Sequence, residues 1–252
     1  MFFMRLSIVV FAMLAIGGCK PQKREQQVDF KSIFNGEKLD GWTGDSTYWR
    51  VENGCLVGEV TPETILKRNS FIIWQGGNPS DFELKADFRV SSKGNSGINY
   101  RSELVEGVPF ALKGYQADLD GRNRYNGQNY EERKRTTLAY RGEQVTVKPM
   151  SESSDFGTLV SNNAWKNRTV TSLLSTPDSL KAVFKKGKWN HYHIIAKGNR
   201  LKHFLNGVLM SDVVDADTIN ASCSGYIGVQ VHVGPPMKVE FKNILLKETH
   251  SK

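Results

Sequence analysis

The chain has 252 residues, 39% of them hydrophobic and 24% charged, with 23 Gly, 8 Pro, 3 Cys and a formal charge of +8. Those proportions exclude a disordered chain, a collagen, a coiled coil and a disulfide-stapled mini-protein, and the length suits one large domain or two small ones. The only long apolar run is at the extreme N-terminus, which excludes a polytopic membrane protein.

That run, Leu6 to Gly18 behind Arg5, has 13 residues, too few for the roughly 20 that span a bilayer. A basic residue, a short apolar stretch and small residues predict a secretory signal peptide over 1–18. Its end, Ile16-Gly17-Gly18-Cys19, resembles the bacterial lipobox, which implies lipidation of Cys19 and anchoring to a membrane of the cell envelope. Residues 19–28 then read as the lipidated cysteine and a polar tether. Without residues 1–18 the chain has 33 Lys and Arg against 26 Asp and Glu, a charge of +7.

From 29 to 248 the pattern is that of one β-sandwich domain. Phe82 to Val90 alternates strictly, Phe82, Leu84, Ala86, Phe88 and Val90 on one face and Glu83, Lys85, Asp87 and Arg89 on the other. His191–Lys197 and Arg200–Asn206 flank Gly198-Asn199, a hairpin turn; Asn206-Gly207 marks another. Tyr226–Val233 and Lys238–Leu246 supply the last strands. One helix is expected at Asp178–Lys185, opened by Thr176-Pro177 and stopped by Gly187. Residues 151–177, rich in Ser, Thr and Asn, read as a surface excursion. The five tryptophans (42, 49, 74, 165 and 189) suit the core of a sandwich better than sugar stacking.

The stretch Arg122–Arg141 interleaves Arg122, Arg124, Arg133, Lys134, Arg135 and Arg141 with Asp120, Glu131 and Glu132. A nucleic-acid reader concentrates positive charge on one face, so nucleic acid is excluded as a partner. The stretch reads as a solvated basic surface, with a lid over a groove or a contact to acidic glycans as the alternatives. Cys55 and Cys223 either pair or stay free; both readings are open.

Strand parity gathers a polar set on one sheet face. Gln116, Asp118 and Asp120 face out from Gly114–Asp120, Asn99 and Arg101 share a parity in Asn95–Ser102, and Tyr226, Gln230 and His232 face out from Tyr226–Val233. Alternate residues on a strand lie roughly 6.5 to 7 Å apart, so such a set can meet one sugar ring. Asp118-x-Asp120-Gly121 does not meet the EF-hand spacing, though a looser calcium or other divalent site is compatible with it. His191-x-His193 lacks a third ligand.

The run Phe30-Lys-Ser-Ile-Phe-Asn-Gly-Glu-Lys-Leu-Asp-Gly-Trp42 resembles the opening signature of the bacterial DUF1080 family, the 3-keto-disaccharide hydrolases. The likeness continues through Trp49–Gly54, Asp81–Leu84, Asn95–Ile98 with Arg101, Gly114–Asp118, Lys188–Asn190, Asn206-Gly207, Gly228–Pro236 and Val239–Ile244. It implies a concanavalin A-like jelly roll of two antiparallel sheets and cleavage of glycosides oxidised at C3. A C3 ketone acidifies the C2 proton, so the reaction needs a base, an enolate stabiliser and a proton donor, not the carboxylate pair of an ordinary glycosidase. Glucanases of similar fold carry E-x-D-x-E, where this chain has Gln116-Ala-Asp118-Leu-Asp120, so double displacement looks disarmed. Residue chemistry then makes Asp118 the base or a metal ligand, Arg101 the enolate or hydroxyl clamp and His232 the proton donor or electrophile. Gln116, Gln230, Asn99, Asp120 and Tyr226 would bind substrate, an oligosaccharide or glycoside. A lectin-like binding module using the same groove, or an interaction lipoprotein, are the other classes.

Overall fold

A computed structural model describes residues 29–149 and 155–249. The expected signal peptide, Cys19 and the tether lie outside the described residues.

Two sheets face each other. The ten-stranded sheet runs β14 (Arg168–Leu173), β11 (Glu143–Val147), β17 (Val208–Asp215), β16 (Arg200–Leu205), β15 (Asn190–Lys197), β6 (Phe82–Val90), β19 (Met237–Glu248), β4 (Cys55–Val60) and β3 (Trp49–Glu52), with β1 (Lys31–Ser32) paired to β19. The nine-stranded sheet runs β12 (Val160–Ser161), β13 (Ala164–Trp165), β10 (Thr136–Ala139), β9 (Asn129–Glu132), β8 (Leu112–Asp120), β7 (Asn95–Leu104), β18 (Tyr226–Val231), β5 (Ser70–Trp74) and β2 (Trp42–Thr43). The sandwich is the expected jelly roll, corrected in one respect. Each sheet is mixed, because β10 pairs in parallel with β13 and β11 with β17.

Local chemistry accounts for the frame. β6 buries each of its apolar residues and none of its charged ones, so its alternation sets the inner face of the ten-stranded sheet. From the nine-stranded sheet Ile98, Tyr100, Tyr115, Ala117, Leu119, Ile227, Val229 and Val231 meet it in one continuous core. Asn206 and Gly207, at φ 49 and 84, form the two-residue turn between β16 and β17, where positive φ matches the strand twist. The helix α1 (Pro177–Ala182) starts where predicted, with Thr176 as N-cap and Pro177 in its first turn.

Two expectations are corrected and one open alternative is settled. The excursion at 151–177 contains β12, β13 and β14, and Trp165 is buried against Phe156. Its polarity reflects an edge strand, β14, that is exposed along almost its whole length. The two cysteines do not pair; Cys55 is buried and Cys223 exposed. The basic stretch is a solvated face only in part, with Arg122, Arg124 and Arg133 exposed. Arg135 is fully buried, bonded to Glu131, Asp215 and Asp217, and joins the β9–β10 turn to the end of β17. Arg141 donates to Asn123 and to the Asn126 carbonyl, which fixes the loop between β8 and β9.

Candidate active site

The β8–β9 loop and the outer face of the nine-stranded sheet line a cavity of about 530 Å³. Gln116 and Asp118 of β8, Tyr130 and Glu132 of β9 and His232 just beyond β18 line it from the sheet; Arg124, Tyr125 and Gln128 line it from the loop and Arg133 from the β9–β10 turn, with Asn69, Asn95 and Asn163 at the margins.

Asp118 sits in the interior of the sheet, on β8 opposite Gly97 of β7. It is only 6% exposed. Gln116 donates from Nε2 to its Oδ1 at 2.6 Å and Gln128 donates to its Oδ2. Loss of water pushes its pKa up to about 7, and the charges of Glu132 and Asp120 push the same way; the two amide bonds restrain the rise. A carboxyl so placed exchanges protons near neutrality, as general acid–base catalysis asks.

The sheet also fixes how Gln116 points. A Cβ on Gly97 would lie 2.4 Å from Gln116 Cδ, so only glycine leaves room for that side chain to lie across the strand toward Asp118. Gln230 Nε2 donates to Gln116 Oε1 at 3.2 Å, which turns the Gln116 NH₂ toward the carboxylate. Beneath the site, Tyr100 hydroxyl, His203 and the Gln128 carbonyl form a buried chain. A carbonyl only accepts, so His203 Nδ1 carries the proton toward Gln128 O (3.2 Å) and Nε2 accepts from Tyr100 (2.9 Å). Burial lowers the His203 pKa to about 3, so this link in the chain stays neutral.

The structure separates the residues that sequence parity had grouped. Asp118, Gln116 and His232 face the cavity; Arg101, Asp120, Asn99, Gln230 and Tyr226 do not line it. A bulge after Tyr100, with Arg101 at φ 44, breaks the alternation of β7 and sends this side chain elsewhere. Arg101 is 1% exposed and donates to Ser80 O, Gly198 O and Asp81, so it clamps the β15–β16 hairpin instead of meeting an enolate. Asp120 accepts from the backbone N–H of Arg122 and of Arg124 and organises that loop. Asn99 is completely buried, in register with Gln116 and Gly228, and its amide has no partner. Gln230 is buried as support for Gln116, and Tyr226 packs against the apolar cluster of Phe71, Ile73 and Leu112.

The structure adds residues the sequence reading passed over: Gln128, Tyr130, Glu132, Arg124, Arg133, Asn69 and Asn95. Tyr130 and Glu132 share a parity on β9, but four residues are too short a strand for alternation to signal. Gln128 reaches Asp118 from a loop, where no periodicity operates. Glu132 accepts from Asn69 Nδ2 at 3.1 Å, and Tyr130 hydroxyl donates to Asn163 at 3.3 Å. Among the described residues no group of three or more His, Cys, Asp and Glu is arranged to hold a metal ion. The two carboxylates of the suggested calcium motif are engaged separately, Asp118 by amides and Asp120 by its loop. His191 and His193 lie on the outer face of the other sheet, hydrogen-bonded to Asp87 and Glu83 at 2.9 Å.

A family model described as a 3-keto-alpha-glucoside-1,2-lyase-like domain matches residues 29–247. No curated protein matches the chain. Among solved structures, the carbohydrate-binding module CBM66 from Bacillus subtilis is similar at a TM-score of 0.50 and 18% identity, over 82% of this chain and 96% of the module. A protein of Parabacteroides distasonis ATCC 8503 described as a candidate glycosyl hydrolase is similar at a TM-score of 0.53 and 20% identity, over 88% of this chain and 94% of its own. At such identities the likeness is one of fold.

Proposed function

Because this chain is a carbohydrate-active domain belonging to the 3-keto-alpha-glucoside-1,2-lyase-like family, we propose that it cleaves 3-keto-glycosides by elimination, with Asp118 as the base. The observation that carries this reading is the Asp118 carboxyl on the cavity wall, buried and poised near neutrality. Its carboxylate takes the C2 proton, the C2–H electron pair forms a C2–C3 double bond, and the carbonyl π pair moves to the C3 oxygen. Arg124 and Arg133, the cations lining the cavity, face the oxygen that becomes negative. The C3 carbonyl then re-forms, a C1–C2 double bond forms and the C1–O bond breaks. Protonated His232, whose Nδ1–H donates to the Val233 carbonyl, gives the departing oxygen its proton from Nε2. Water adding across the double bond completes a net hydrolysis.

Incubating the protein with a 3-keto-disaccharide and with its unoxidised parent in D₂O, followed by NMR, tests this. Cleavage of the keto sugar alone with deuterium at C2 is the expected result. Saturable binding without cleavage of either sugar would make the cavity a lectin-like site instead.

The enzyme is further proposed to work at the cell envelope, held by acyl chains on Cys19. Support comes from the run Ile16-Gly17-Gly18-Cys19 behind a short apolar segment. Cells fed labelled palmitate should label the wild type and leave Cys19→Ala unlabelled; equal labelling would remove the anchor.

A further inference from the structure

A second cavity, of about 410 Å³, lies beside the first. The partition between them is the segment that leads into β5. Asn69 faces the Asp118 cavity, where it bonds Glu132, while its chain neighbours Arg68 and Ser70 line the second cavity. The two cavities therefore lie on either side of one short segment of chain.

The chemistry of the second cavity differs from that of the first. Lys67 and Arg68 are both exposed, and among the described residues neither has an ion-pair or hydrogen-bond partner. Elsewhere on the surface arginines are commonly engaged, Arg50 with Glu52 and Glu59, Arg89 with Glu240, and Arg200 with Asp212. Tyr48 and Phe110, both half-buried, add two aromatic rings, and Ile65 is left 49% exposed for so large an apolar side chain. Asp45, the single carboxylate of the lining, is occupied by the backbone N–H of Thr47. Two uncommitted cations beside aromatic rings fit a ring that is apolar on one face and carries an anionic substituent.

We infer that this second cavity is a subsite for an acidic sugar unit, a uronate, at the far end of the glycan whose keto sugar occupies the Asp118 cavity. The inference rests on the reading of the chain as a saccharide-cleaving enzyme and names the class of its extended substrate. Lys67 and Arg68 would hold the carboxylate, while Tyr48 and Phe110 face the ring.

Titration of the full chain with glucuronate and with glucose, followed by chemical-shift changes, tests it. Glucuronate should bind saturably and more weakly as salt rises, and glucose should bind at least about tenfold more weakly. The double variant Lys67→Ala/Arg68→Ala should lose about tenfold in glucuronate affinity while keeping its melting temperature. Asp118→Asn, by contrast, should bind glucuronate as the wild type does. Equal affinity for the two sugars, or an unchanged affinity in the double variant, would overturn the subsite. Loss of glucuronate binding in Asp118→Asn would also overturn it, by placing the acid in the first cavity. These readings are independent of whether any 3-keto sugar is cleaved, so failure of the elimination chemistry shows separately.

Discussion

The outer faces of the two sheets are made from similar residues and do different things. On the ten-stranded sheet Glu83, Lys85, Asp87 and Arg89 of β6 alternate outward, and neighbouring strands add His191, His193, Glu240 and Lys247. Those charges neutralise one another across strands, His191 with Asp87, His193 and Lys247 with Glu83, Arg89 with Glu240, in the reach of water. On the nine-stranded sheet the same parity presents Gln116, Asp118 and Gln230, but the β8–β9 loop brings Gln128 onto Asp118. There the carboxyl meets amides in place of a cation, and burial raises its pKa to about 7. An outward polar residue becomes chemistry only when something keeps water from it.

The largest effect should come from removing the covered carboxyl. Asp118→Asn is expected to lower kcat roughly 10³-fold on a 3-keto-glycoside. The wild-type rate should rise with pH through about 7, as the base loses its proton, and the variant should lack that limb. Stability moves the other way. The folded state holds the Asp118 proton more tightly than the unfolded chain, so the stabilisation it confers is complete below about pH 4 and is lost as pH rises through about 7. Melting curves should therefore show Asp118→Asn gaining on the wild type above pH 7 and not below pH 4. A variant with full activity would end the comparison, since the covered face would then be as inert as the open one.

Arg101→Met comes next. It takes the buried cation away from Asp81 and one donor each from the Ser80 and Gly198 carbonyls, at a cost of about 3–5 kcal/mol by denaturant titration. At a temperature where the variant is folded, kcat/KM should stay within about twofold, because Arg101 is outside the cavity. A selective loss of kcat would return this residue to the reaction.

Gly97→Ala sharpens the comparison from within the site. The added methyl must displace Gln116, so about 1–3 kcal/mol of stability should go, together with a shift of the pH–rate limb as Asp118 loses one of its two amide donors. A fall in stability without a shift in the pH profile would detach Gln116 from the tuning of Asp118.

Smallest of all is the effect on the open face. Glu83→Gln breaks its pairs with His193 and Lys247, each partly exposed, and should cost under about 1 kcal/mol with no change in turnover.

Much of this architecture was legible beforehand. The strict alternation of β6, the Asn206-Gly207 turn, the Thr176-Pro177 helix start and the ordered family signature over 30–244 are local patterns, each enforced by backbone geometry within a few residues. They determined the strands, the sandwich and the two residues, Gln116 and Asp118, that share a hydrogen bond in the site. Tertiary structure alone decided the rest. The bulge that removes Arg101 depends on how β7 registers with β8 and on the hairpin that Arg101 reaches, from residues about a hundred positions away. The loop that brings Gln128 onto Asp118 depends on His203 of the other sheet holding the Gln128 carbonyl. Alternation says which face a side chain takes; only packing between distant segments says whether water reaches it, and on that access the proton affinity of Asp118 rests.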